Sequence, residues 1–187
     1  MISFLFTTSS LPFSKLTRWG LDTDCSHFAL GFDLDRPSGI VFHSDFMGVH
    51  IDFFSHFLVK NRIVHGLEFT DKLTLDQEEL IYTSIIQPNY KHGYDYGAYL
   101  FWCLNIIGNK AFNLEISKKN LWESKEKYLC TEIYSSLCGV KVTETITFPT
   151  IKNTSMINPY DLYLELKACP FFRDLSASSL ISSPLAQ

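Results

Sequence analysis

Cys130 and His27 are the residues of this chain whose types and surroundings fit a nucleophile and its base. A cysteine attacks as the thiolate, and a helix N-terminus and a neighbouring imidazole are the common means of favouring that form. Cys130 lies in Tyr128-Leu-Cys-Thr-Glu-Ile-Tyr-Ser-Ser-Leu-Cys138, where Ile133 and Leu137 fall four apart on one face and Gly139 supplies a stop. That spacing predicts a short helix with the thiol near its start. His27 heads the apolar run Phe28 to Phe32, a strand that would hold an imidazole rigidly. His43 closes the next apolar run and would orient His27 if the two strands pair as a hairpin, with Asp45 as the alternative orienter. Such a set performs acyl transfer: the thiol becomes acylated, the imidazole moves the proton, and water resolves the thioester.

Other chemistries fit less well. His43, His50 and His56 are seven and six residues apart, which matches no common ligand motif, so neither metal nor cofactor is expected. The five cysteines are odd in number and lack CxxC spacing, which argues against a disulfide framework or zinc knuckle and for a reducing compartment. Cys103, Cys138 and Cys169 read as small buried apolar residues, and Asp24 opposes a thiolate at Cys25. A net charge of −4 with no Lys/Arg cluster excludes a nucleic-acid surface. Met1 to Phe13 has no basic n-region and reaches Pro12 early, so no secretion signal is read; the expected location is cytoplasmic or virion-associated. The longest apolar run, Ala98 to Ile107, is about half of the ~20 residues a membrane span needs.

With 46% apolar and 19% charged residues, 187 residues suffice for one packed domain, expected over residues 1–175. Strands are predicted at Ile2 to Thr7, Ser26 to Leu34, Gly39 to His43, Gly48 to Phe54 and Arg62 to Phe69, the Pro and Gly of Asp35 to Gly39 marking a turn. Lys15 to Trp19 is a short helical stretch. Thr74 and Gln77 form a capping box for a helix carrying Leu80, Ile81, Ile85 and Ile86 and ended by Pro88. Gly97 to Ile107 is predicted as a buried helix stopped by Gly108, packed under the Cys130 helix. Trp122 to Lys127 leads into that helix, and Asn158-Pro159 caps a last one over Asp161 to Leu166. The Ser-rich tail, residues 176–187, carries no core pattern and is the segment available to a protein partner.

The run Ser14 to Leu30, with Ser26-His27-Phe28, resembles the circularly permuted papain-like (NlpC/P60) domains, in which a small helix leads into a Ser-His-hydrophobic strand. Ile40-Val-Phe-His43-Ser resembles that family's following strand, which carries the third triad member. Leu129-Cys130-Thr-Glu-Ile133 is similar to its Cys-Ser-Glu-hydrophobic helix start, and Asn158-Pro-Tyr-Asp-Leu162 to its Thr-Pro-x-Asp-Leu segment. Gly48-Val49 and Phe57-Leu58 also recur in such domains. The resemblance spans residues 1–166, with His before Cys, the reverse of papain. It departs at Thr131, where Ser is usual, and at Cys25, where an aromatic is often found.

The resemblance implies an α+β fold, a small antiparallel sheet packed on the Cys130 helix and two others. It implies a thiol hydrolase using Cys130, His27 and His43 on an amide or ester, the substrate being a peptide, peptidoglycan or acyl group. The Cys130 amide would stabilise the oxyanion, with Tyr94 as a second donor; Glu132, two residues past the nucleophile, reads as a helix-start carboxylate favoured by the dipole and as a further candidate at the site. The rival reading is a non-catalytic virion or assembly component that retains the papain-like shell.

Overall fold

A computed structural model of the chain describes residues 1–89, 92–115, 127–128, 130–151 and 157–175. The expected tail and the lead-in from Trp122 lie outside the described residues, apart from the backbone of Lys127. The first strand, β1 (Ile2–Thr8), is buried along its whole length, because it sits inside a sheet covered on both faces. Around it lie β2 (His27–Phe32), β3 (Ile40–Asp45), β4 (Gly48–Phe53), β5 (Arg62–Phe69) and β8 (Phe172–Asp174), in the order β4-β3-β2-β1-β5-β8, every pair antiparallel. A two-stranded parallel ribbon pairs β6 (Gly93–Tyr94) with β7 (Lys127–Tyr128). The α+β class read from the sequence is the class observed.

The period-2 alternation of side chains divides the sheet into two unlike faces. One carries Phe4, Phe6, Phe28, Leu30, Phe42 and Leu67 and packs against α3 (Leu75–Asn89), a 3₁₀ helix (Cys130–Leu137) and α5 (Pro159–Lys167). The other carries Leu5, Ala29 and Val41 under the short α2 (Phe54–Lys60), whose Phe54 and Phe57 fill the space. On this second face the strands also place His27, His43, His50 and Asp52, because Ala29 lies opposite His43 and His43 opposite His50. The β3–β4 turn that sets this register needs Gly48: its φ is 103°, and a Cβ there would come 2.7 Å from the His92 carbonyl oxygen.

Several local expectations change. The helix read at Lys15 to Trp19 is α1 (Pro12–Leu21), begun by Pro12 in its first turn, where a missing N–H costs nothing. The capping box is present, Thr74 N–H donating to Gln77 Oε1 at 2.8 Å and Gln77 N–H to Thr74 Oγ1 at 3.4 Å, but the helix runs through Pro88 to Asn89. The next helix, α4 (Tyr96–Phe112), passes Gly108 and ends at Asn113, which takes the left-handed conformation at φ 53°. Nor does α4 lie under the Cys130 segment. It packs on α1, with Gly20 so close to Ile106 that a Cβ at 20 would stand 2.0 Å from Ile106 Cγ2; α3 is the helix against the Cys130 segment. It is also less buried than its composition suggests: Ala98, Cys103 and Ile106 face inward while Leu100 and Leu104 are half exposed. The Cys130 segment winds as a 3₁₀ helix, followed by Gly139 at φ 76°. Asn158 caps α5 as read, its Oδ1 accepting from Asp161 N–H at 2.9 Å. Among the described residues no helix is long and apolar enough to cross a membrane.

Candidate active site

His27 is the first residue of β2, and its neighbour across the sheet fixes it. His43, paired with Ala29 on the adjacent strand, occupies the diagonal position to His27, within side-chain reach on the same face. The rings meet edge to face with centroids 5.4 Å apart, and His27 Nε2 lies 3.3 Å from His43 Nδ1. On its other side His43 Nε2 lies 3.3 Å from Asp52 Oδ2. An ionised carboxylate only accepts, so His43 donates Nε2–H to Asp52 and its Nδ1 accepts from His27 Nε2–H. The basic nitrogen left on His27 is then Nδ1. Phe57 from α2 closes over the relay, its ring centroid 5.0 Å from His43 and 6.4 Å from His27.

β2 and β3 pair as the expected hairpin, which brings His43 beside His27. Asp45, the alternative orienter, accepts through Oδ1 from Met47 N–H at 2.7 Å within the turn. Asp52 is the residue that sequence reading missed. Its signal was present in the alternation of His50 and Asp52 against Val49 and Ile51, which sends both polar side chains to the face that carries His43.

Cys130 reaches the same place from the opposite side of the sheet. Its 3₁₀ helix packs on the aromatic face, yet its first residue lies at the sheet's end, where the sulfur is within reach of the backbone N–H groups of Phe28 and Thr131. Cys130 and His27 line one open cleft with Ser26, Tyr94, Tyr99, Trp102 and Asn158. An adjoining cleft shares His27, Ser26, Tyr94 and Tyr99 and opens toward His43 and Asp45, so His27 stands between the two. No hydrogen bond joins Cys130 to His27 among the described residues; catalytic hydrogen bonds often close only around a substrate. Tyr94, anchored in the β6–β7 ribbon, shares the cleft wall with the thiol, and burial together with the nearby Cys130 holds its phenol protonated, available as a donor. Glu132 is buried within the 3₁₀ helix and does not line the cleft; its charge disfavours the Cys130 thiolate.

The electrostatics of the site favour the neutral thiol. Burial pushes the Cys130 thiol up to about 11, and the Phe28 and Thr131 amides offset only part of that rise. Burial and the adjacent His43 push His27 down to about 3, so at neutral pH it is an uncharged base. Burial and His50 push His43 down to about 4, against the pull of Asp52. The resting pair is neutral thiol and neutral imidazole. Cys25, fully buried near Cys130, is pushed up to about 12 by desolvation and Asp24. Cys103, Cys138 and Cys169 are free like the other two, and no disulfide forms among them.

Set against protein-family models, curated proteins and solved structures, the chain matches none of them.

Proposed function

We propose that the protein is a cysteine-dependent hydrolase of amide or ester bonds on a permuted papain-like scaffold. The observation that carries the reading is the shared cleft: a thiol at a helix start and a neutral imidazole held by a His43–Asp52 relay line one cavity. In the mechanism, His27 Nδ1 takes the Cys130 proton as the sulfur attacks the substrate carbonyl. The oxyanion is met by backbone N–H groups beside the sulfur and by the Tyr94 hydroxyl. Collapse expels the amine or alcohol, which takes the proton from His27, and water then cleaves the thioester by the same route. Asp52 supports the imidazolium through His43, as a buried carboxylate does in a triad. The aromatic wall of Tyr94, Tyr99 and Trp102 suits an apolar acyl group or an aromatic peptide side chain.

The elevated Cys130 thiol favours the second reading, a non-catalytic component keeping the shell, because a structural module has no need of a low-pKa thiol. Acylation separates the two. With p-nitrophenyl esters of graded chain length, the wild type is expected to gain one acyl group on Cys130, seen by peptide mass spectrometry and released by hydroxylamine. Cys130→Ser is expected to lose it, and His27→Ala to slow it by about 10²–10⁴-fold, the range of a general base. A Cys130 that is never acylated, or is acylated equally fast in His27→Ala, sinks the hydrolase reading.

A further inference from the structure

The sequence spacing of the histidines fits no ligand motif because spacing rules describe helices and loops, while these residues are brought together across paired strands. His43 lies directly opposite His50, with ring centroids 4.5 Å apart, and Asp45 follows two residues later on the same face. One ligand atom from each of His43, Asp45 and His50 falls within 4.8 Å of the others. Asp52 stands behind them, its Oδ2 3.3 Å from His43 Nε2 and 3.7 Å from His50 Nε2. His50 Nδ1 donates to the Gly48 carbonyl oxygen at 3.0 Å and lies 3.7 Å from Asp45 Oδ1, while Nε2 carries the lone pair and faces Asp52 at 3.7 Å; a ligating histidine is commonly held through its other nitrogen in this way. The Asp45 and His50 side chains are 34% and 28% exposed, so an ion can reach them from solvent.

We propose that His43, Asp45 and His50 form an inhibitory site for a divalent transition metal of the zinc class, which silences the Cys130–His27 pair by taking His43 out of the relay. The donor set is two imidazoles and a carboxylate, which suits zinc, cobalt or nickel; calcium and magnesium prefer all-oxygen sites. A tetrahedral ion with bonds of ~2.0–2.1 Å wants ligand atoms about 3.3 Å apart, so the set closes by up to about 1.5 Å on binding, with water as the fourth ligand. Either nitrogen that His43 gives up is already in use: Nδ1 holds His27 and Nε2 holds Asp52. Occupancy therefore breaks one link of the relay and sets a cation beside the imidazole that must accept the thiol proton. The inhibitory half rests on the hydrolase reading; the binding half does not.

The two halves are tested separately. Co²⁺ is titrated into the full chain carrying Cys130→Ser and followed by its visible d–d bands. One saturable site is expected, displaced by Zn²⁺, free of the intense near-ultraviolet sulfur-to-cobalt band, and at least about tenfold weaker in each of Asp45→Asn and His50→Gln. No saturable site, a strong sulfur-to-cobalt band, or equal affinity in both variants overturns the proposal, whatever the chain's activity. With Cys130 intact, the ratio of p-nitrophenyl ester acylation rates with and without equimolar Zn²⁺ is expected to fall well below one in the wild type and to stay near one in His50→Gln. A ratio near one in a wild type that binds the metal overturns the inhibitory half alone. A wild type that is never acylated refutes the hydrolase reading and leaves the cobalt result to decide the site.

Discussion

The two faces of the central sheet are built from the same strands and do opposite things. On the larger face, Phe4 alone lies within ring-contact distance of Phe28, Phe69, Phe148 and Phe172, and three helices seal the layer. On the smaller face a single seven-residue helix covers Leu5, Ala29 and Val41, and the strand ends beyond its reach carry imidazoles and carboxylates. Stability is concentrated where apolar area is removed from water. The polar relay lies where cover is partial, and its outer member, Asp52, still keeps contact with solvent.

The largest test of this contrast is Phe4→Ala. A fully buried ring leaves a cavity the aromatic layer cannot collapse into, and a loss of about 3–5 kcal/mol is expected in urea unfolding. A loss under about 1.5 kcal/mol would show that the face is more plastic than its packing implies. On the polar face the expected damage is to reactivity. His43→Gln should slow Cys130 acylation about a hundredfold, toward the lower end of general-base contributions, and Asp52→Asn about tenfold, since Asp52 acts one link further away. Equal effects of the two would mean that Asp52 acts on something other than His43.

The neutral-pair assignment is checked by iodoacetamide. A thiol pushed up to about 11 from 9.0 carries about a hundredfold less thiolate at pH 7 than an ordinary cysteine, so Cys130 should alkylate slowly there and speed up toward pH 11. Rapid alkylation below pH ~7 would instead establish a standing thiolate. Phe57→Leu removes the ring over both imidazoles while keeping much of the volume. It should cost about 1–1.5 kcal/mol of stability yet slow acylation by about tenfold or more, a split that Phe4→Leu should not show. Smallest is Asn158→Ala, which removes the α5 cap and costs about 1 kcal/mol in urea unfolding.

Much of this architecture was legible in the residues. The five long strands, the Thr74–Gln77 box and the Asn158-Pro159 start are local signals, set by side-chain period and by capping groups within three or four positions, and they lie where those signals place them. Local signals fail where termination is a tertiary matter. Gly108 does not stop α4, because the helix goes on to Asn113, and an apolar sequence could not disclose that only the Ala98–Cys103–Ile106 side of α4 would be covered.

The sequence by itself determined the chemical inventory: an isolated thiol at a helix start, a histidine at a strand head, a second histidine one hairpin away, and a fold of mixed class. Only the tertiary structure decided which partners these residues meet. Strand register chose Asp52 over Asp45 and set His43 against His50, since one residue of slip would have turned every one of those side chains to the aromatic face. Burial then set the protonation of the pair, raising the thiol and lowering the imidazole, because the cost of taking a charge out of water depends on surroundings that no stretch of sequence contains.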